Sequence, residues 1–319
     1  MQLTEYSSTK QALGGAITLT VVSDMSRLAA DELFVSLWRE VIYFEKRFSR
    51  FLPSSELSRF NAKAGIRVPI SAEFMAILQA AKLWAQKTSD LYNPFILPAL
   101  HRAGYVQSAV KGYQHDKSPD YTNRYVVAGE QLELGDDWAL IPRDSAIDLG
   151  GMGKGYLADQ LGERLRTLGV AGYWLELSGD IATYGHTVDN QPIHVAIQNA
   201  RDITKKHTDI MVECPETPFA VATSGTFRRG THNVKDIEHH IIDPRSGKSA
   251  QTDVLLATVC AESALAADVV ASCGVIVGAD NCAALFKRFQ LPAWLVQYRQ
   301  HEGKIIDKKH GNQIIGVAI

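Results

Sequence analysis

The first apolar pattern along the chain is Ala16–Val22 (AITLTVV), rich in β-branched residues, which predicts a strand. It is entered through Leu13-Gly14-Gly15, which on these residues alone reads as a plain strand-entry turn, a turn that lets a ligand approach the backbone being the alternative. Beyond Ser26, a helix-capping residue, Ala30, Phe34, Leu37, Val41, Phe44 and Phe48 recur at alternating intervals of four and three. That spacing predicts one long helix with a single buried stripe, stopped by Pro53. Ser54 or Ser55 caps a short second helix, with Phe51 exposed at the corner as an aromatic face able to stack on a flat ring. Ser71 caps a third helix whose inward residues are Phe74, Leu78, Ala81 and Trp84 or Ala85. Turn chemistry follows in Asp90-Leu91-Tyr92-Asn93-Pro94-Phe95, and residues 111–124 are polar, with Gly and Pro, which predicts a surface loop or insertion over about 106–124. Further strands are predicted at Tyr125–Val127, Gln131–Leu134, Trp138–Ile141, Tyr173–Leu177, Ile193–Gln198, Phe219–Ala222, Val254–Ala261, Trp294–Tyr298 and Ile314–Ile319. Helices are predicted at Ala264–Ser272 and Asn281–Phe289, and the run Val275–Gly278 is set apart between them. Strands and helices do not alternate regularly enough for a doubly wound sheet. The expected fold is a single α+β domain over residues 1–319, with largely antiparallel sheets packed against outer helices.

The centre of the pattern is Ala146 to Tyr156. It opens as a short apolar strand carrying Asp148, and then places Gly150, Gly151, Gly153 and Gly155 within six residues. A helix follows, with Leu157, Leu161, Leu165 and Leu168 on one face and Gly169 at its end. Glycines ahead of a helix start offer bare N–H groups and a positive helix end to an anion, and Lys154 adds a mobile positive charge. A turn that needs glycine only for steric reasons is the alternative. The spacing matches neither G-x-x-x-x-G-K-[ST] nor G-x-G-x-x-G.

Bulk properties narrow the field only by exclusion. With 46% hydrophobic and 21% charged residues in 319, the chain has ordinary globular composition. A net charge of −2 without a basic stripe argues against a nucleic-acid partner. No run of 18 apolar residues suggests a transmembrane segment, and Met1–Leu13 lacks the apolar core of a signal peptide. As written, the expected location is cytoplasmic, or periplasmic or membrane-anchored if a leader was removed. Cys214, Cys260, Cys273 and Cys282 form no C-x-x-C pair and are expected to be buried reduced thiols.

Five stretches, in this order, resemble the ApbE family of flavin transferases (FAD:protein FMN transferases). They are Phe48-Ser49-Arg50-Phe51 with Ser55-Glu56-Leu57-Ser58-Arg59-Phe60-Asn61, Ile147 to Tyr156, Thr223-Ser224-Gly225, His240 to Gly247, and Ala267-Asp268. The resemblance covers roughly residues 11–319. It implies an Mg²⁺-dependent enzyme that splits the FAD diphosphate and transfers FMN to a Thr or Ser hydroxyl of a target protein, with AMP leaving. FAD would lie in a cleft between two lobes. By motif match, Leu13, Phe51, Leu91, Tyr92, Asn93, Asp148, Lys154 and Ile242 would contact FAD. Asp148 would either fix the loop or bind the flavin end. Asp268 and Ser272, one helical turn apart, would hold the metal with the backbone carbonyl of Gly151; a helix-surface pair is the alternative for these two side chains. His240, near neutrality in pKa and beside the Asp243-Pro244 turn, would serve as general base, with Asp268 also essential to catalysis.

The chain departs from the family pattern at three points. Tyr92-Asn93 stands where the family usually has Phe-Asp, Ser178-Gly179-Asp180 where it has Gly-Gly-Asp, and Ser272 where it has Thr. Ser272 keeps a hydroxyl ligand, whereas Asn93 loses a charge in the region of adenine or ribose recognition. Two other activities fit the same residues: an FAD-binding protein without transfer, and an FAD pyrophosphatase giving FMN and AMP.

Overall fold

The computed structural model describes residues 2–107, 120–202, 210–227, 239–300 and 303–315. Most of the polar run 111–124, Arg228 to Gly230 and the end of the stretch Ile314–Ile319 lie outside the described residues. The described helices are α1 (Arg27–Phe48), α2 (Glu56–Asn61), α3 (Ala72–Lys87), α4 (Leu97–Arg102), α5 (Gly153–Thr167), α6 (Ala264–Val277) and α7 (Ala279–Arg288). None is long and apolar enough to cross a membrane. The chain divides into two compact units, one formed by 1–42, 153–225 and 252–319 and the other by 43–152 and 226–251.

The first unit is built on an eight-stranded sheet: β1 (Thr4–Ala12), β2 (Gly15–Ser23), β3 (Gly172–Leu177), β4 (Asp180–Gly185), β5 (Phe219–Gly225), β6 (Val254–Ala261), β7 (Ala293–Arg299) and β8 (Ile305–His310). Spatial order equals chain order, and every neighbouring pair is antiparallel. Strand β1 is missing from the sequence expectation because TEYSSTKQA is polar and exposed; as an edge strand it needs no second apolar neighbour. Strand β4 is also absent from the expected strands: Ser178-Gly179 is a two-residue hairpin, and pairing resumes at once with Leu177 opposite Asp180. Both turn residues have positive φ, 58° and 104°, as a primed hairpin turn requires. The strands Met211–Cys214 and Ile305–His310 were likewise unanticipated, and Val275–Val277 continues α6 rather than standing apart.

A smaller sheet, ordered Ile314–Ile315, Met211–Cys214, Ile193–Ala196, shares a buried apolar cluster (Val195, Val212, Phe219, Leu295) with the large sheet. Helix α6 packs on β5 and β6 and against α5 and α7. That is why Val269, Val270, Ala271, Cys273 and Val275 are all buried: apart from the face of Asp268 and Ser272 the helix is apolar. Helices α5 and α6 touch at Gly155, where a Cβ would fall 2.5 Å from the Ala264 carbonyl oxygen. Asp159 of α5 locks this approach by accepting hydrogen bonds from the N–H groups of Ala264 (2.7 Å) and Leu265 (3.0 Å) and from the Ser263 hydroxyl (2.7 Å). The start of α6 is therefore fixed to the first turns of α5.

The second unit contains α2, α3 and α4, a three-stranded sheet of Val68–Pro69, Trp138–Leu140 and Glu133–Leu134, and a two-stranded ribbon of Ile242–Asp243 with Lys248–Ser249. Phe48 and Phe60 both pack on Phe74, at 5.5 and 5.4 Å between ring centroids. Ser55 and Ser71 cap α2 and α3 as expected. Tyr125–Val127 is not a strand. Neither is the segment before the glycines: Ala146–Leu149 joins no ladder, and side-chain and turn bonds replace strand pairing there. The Asn61 amide binds both backbone groups of Ile147, and the Asp148 N–H donates to the Pro94 carbonyl at 2.7 Å.

Candidate functional site

In the first unit the site grows from the first turn of α5. Lys154 sits there and reaches two carboxylates, with Nζ 2.8 Å from Asp180 Oδ2 and 3.2 Å from Asp268 Oδ2. Each carboxylate comes from a rigid element. Asp180 is the first residue of β4, set by the Ser178-Gly179 hairpin, and accepts a long bond from the Thr223 N–H at 3.4 Å. Asp268 lies in α6, close to the Gly155 N–H at 3.4 Å. Both carboxylates are buried, Asp180 at 8% and Asp268 at 4% exposure. Burial opposes the Lys154 charge, but the two carboxylates outweigh it and hold the ammonium above the usual lysine range. Burial pushes the Asp180 carboxyl up, Lys154 opposing the shift and Asp268 adding to it.

Ser272 is one turn beyond Asp268 on α6, and its hydroxyl is 2.9 Å from the Ser224 hydroxyl of β5. Thr223 and Thr258 form a second hydroxyl pair at 2.9 Å. This unit thus gathers three of the anticipated site residues, Lys154, Asp268 and Ser272. Leu13 is in the same unit, at the β1–β2 hairpin. Its φ of 51° is unusual for a bulky side chain, and with Gly14 at 81° it makes a tight turn. Asp180 and Ser224 were not anticipated. Asp180 had a signal, as the acid of a motif matched in the family.

In the second unit Asp148 is buried and pairs with Arg50, Nη1 to Oδ1 at 3.0 Å, while its other oxygen accepts the Gly150 N–H at 2.9 Å. Arg50 also donates to the Tyr105 carbonyl at 3.3 Å, and its guanidinium lies 4.5 Å over the Phe51 ring. The Tyr105 ring meets the exposed His240 ring edge-on at 5.9 Å and packs with Ile242 in a small apolar cluster. Asp148, Phe51, Ile242 and His240 are therefore linked through Arg50 and Tyr105, two residues not singled out before. Arg50 was visible within the quoted Phe48–Phe51 motif; Tyr105 carried no signal. Phe51 is half-buried under Arg50 rather than exposed at a corner. His101 is buried near this pair; burial first, then the Arg50 charge, lowers its pKa.

Leu91, Tyr92 and Asn93 follow α3. Tyr92 is buried, and its ring faces Gly151, where a Cβ would meet it at 3.7 Å. The Asn93 side chain is bound at both ends: Oδ1 accepts the Phe95 N–H at 2.8 Å and Nδ2 donates to the Val127 carbonyl at 2.8 Å. An aspartate could make only the first of these bonds. The amide at this position is thus matched to its local backbone.

Comparison with known proteins gives one family. The model of the ApbE family matches residues 13–295. A Haemophilus influenzae protein named FAD:protein FMN transferase is 23% identical over 265 residues, 78% of this chain and 74% of its own length. A Treponema pallidum protein of the same name is 25% identical over 304 residues, 89% and 82% of the two chains. The fold is similar to that of the apo form of the Pseudomonas stutzeri flavinyl transferase ApbE, with a TM-score of 0.79, 22% identity, and coverage of 97% of this chain and 95% of that one.

Proposed function

The chain belongs to the ApbE family, and on that premise we propose that it transfers FMN from FAD to a Thr or Ser hydroxyl of a target protein, with release of AMP. The observation that carries the proposal is Lys154, placed among the glycines in the first turn of α5 and held charged by Asp180 and Asp268. In the reaction the FAD diphosphate is cleaved between its phosphorus atoms, the FMN phosphorus forms an ester bond to the acceptor oxygen, and AMP departs with the bridging oxygen. Lys154 and the N–H groups of the glycine stretch would bind the diphosphate anion. His240 would take the hydroxyl proton; it is exposed, and its ring rests on Tyr105. Arg50, through Asp148, would fix the Gly150 N–H on the loop.

The donor set of the first unit fits Mg²⁺. Asp268 and Ser272 offer hard oxygen atoms one turn apart. Among the described residues no cluster of three or more His, Cys, Asp or Glu side chains could hold a metal. A cation on Asp268 would therefore complete its shell with hydroxyl, carbonyl and water oxygens, as Mg²⁺ does. Bound there, Mg²⁺ would supply charge neutralisation for the diphosphate.

Incubation with FAD, Mg²⁺ and candidate target proteins tests the reading. Flavin retained on a denatured target, with stoichiometric AMP, is the expected result. AMP and free FMN without labelling would instead make the protein a pyrophosphatase, and FAD bound with neither product would make it a carrier.

A further inference from the structure

Lys154 occupies the place that a cation would contest. One ammonium lies between two buried carboxylates, 2.8 Å from Asp180 and 3.2 Å from Asp268, so the three side chains carry a net charge of −1. The carboxylates differ in company. Asp268 shares α6 with Ser272, whereas Asp180 stands on the β3–β4 hairpin, facing the ammonium and the Thr223 N–H. Neither backbone can follow a moving partner: α6 is fixed at its start by Asp159, and Asp180 by a two-residue hairpin. The mobile member is the four-carbon stem of Lys154.

We propose that Asp180 is a holding partner for Lys154, keeping the ammonium beside the site while a divalent cation replaces it on Asp268. Asp180 is then a positioning residue. It never ligates the metal, and it lets one site be vacated without leaving a buried ammonium unpaired. It also keeps Lys154 within reach of a diphosphate arriving with the metal. The inference rests on the proposed Asp268 metal site.

The test is Mn²⁺ binding to the full chain without FAD, followed by the paramagnetic signal of free Mn²⁺, with Mg²⁺ as competitor. Lys154→Met removes the competing charge and should tighten Mn²⁺ at least about tenfold; Lys154→Gln serves as a second variant should Met perturb folding. Asp180→Asn leaves the ammonium to Asp268 alone and should weaken Mn²⁺ about tenfold. In the Lys154→Met background the same Asp180→Asn change should cost about threefold or less, because its partner is gone. An undiminished Asp180→Asn loss in that background would make Asp180 a ligand and overturn the proposal. So would unchanged Mn²⁺ affinity in both Lys154 variants when Asp268→Asn abolishes binding. Unchanged binding in Asp268→Asn would sink the metal site itself, and the inference with it.

Discussion

The Asn61 side chain holds both backbone groups of Ile147, its Nδ2 donating to the carbonyl and its Oδ1 accepting the N–H, each at 2.8 Å. It does for one residue what a neighbouring strand would do, on the segment that leads into Asp148 and the glycines. Asn61→Ala leaves two buried backbone groups without these partners and should cost on the order of 2–4 kcal/mol. Urea unfolding measures this, and a loss under about 0.5 kcal/mol would show that water or relaxation replaces the amide.

Asn93→Asp restores the acid usual at this motif position but removes the donor to Val127. Stability should fall by about 1–3 kcal/mol, and FAD affinity should not improve. Tighter FAD binding by calorimetry, with unchanged stability, would show that the amide is a functional loss rather than a structural fit.

His240→Ala should bind FAD nearly as the parent does and transfer FMN more slowly, on the order of 10²-fold. Transfer at the parental rate would remove His240 from the role of base.

Ser272→Ala should raise the Mg²⁺ concentration for half-maximal transfer, while Ser272→Thr should be close to neutral because it keeps the hydroxyl near Ser224. Asp268→Ala should nearly abolish transfer at ordinary Mg²⁺. A parental Mg²⁺ curve for Asp268→Ala would place the metal elsewhere.

Glu56 provides the pH dependence. Burial raises its pKa, but the bonds from Arg47 (2.5 Å) and from the Ser71 N–H (3.1 Å) and hydroxyl (2.9 Å) outweigh burial and lower it below 4.5. A depressed carboxylate stabilises the fold fully above its unfolded pKa and loses that contribution as pH falls through the folded value. Glu56→Gln should therefore be less stable than the parent at pH 7, and the gap should close below pH 4.5. A gap that is constant with pH in thermal unfolding would contradict this.

Much of this was legible in the sequence, for physical reasons. The stripe from Ala30 to Phe48 is buried along its length because a helix of that period has only one way to hide it. The serine caps at 55 and 71 are local chemistry and hold locally. Long-range relationships were less legible. Strand β1 is polar because the edge of a sheet asks nothing apolar of it. Asp180 stands in a motif, but the hairpin is what brings it to face Lys154. The segment Ala146–Leu149 has strand composition but no strand partner, since Asn61, far away in sequence, supplies the bonds. Lys154, Asp268 and Ser272 could be named because each lay in a motif. That one lysine bridges two acids required the fold.

The agreement between chain order and spatial order in the large sheet has a consequence for how the fold is closed. The chain leaves β2 and re-enters as β3 with Val22 opposite Gly172, and it leaves β5 and re-enters as β6 with Gly225 opposite Leu256. Both excursions, residues 24–171 and 226–253, are in this sense the turns of enlarged hairpins, and all of residues 43–152 falls inside the first. Loop-closure entropy grows only logarithmically, by about 0.6 kcal/mol per doubling of length. Segments within these excursions, outside the first turns of α5 that carry Lys154, can thus lengthen, shorten or diverge at small thermodynamic cost while the register of the eight strands is preserved.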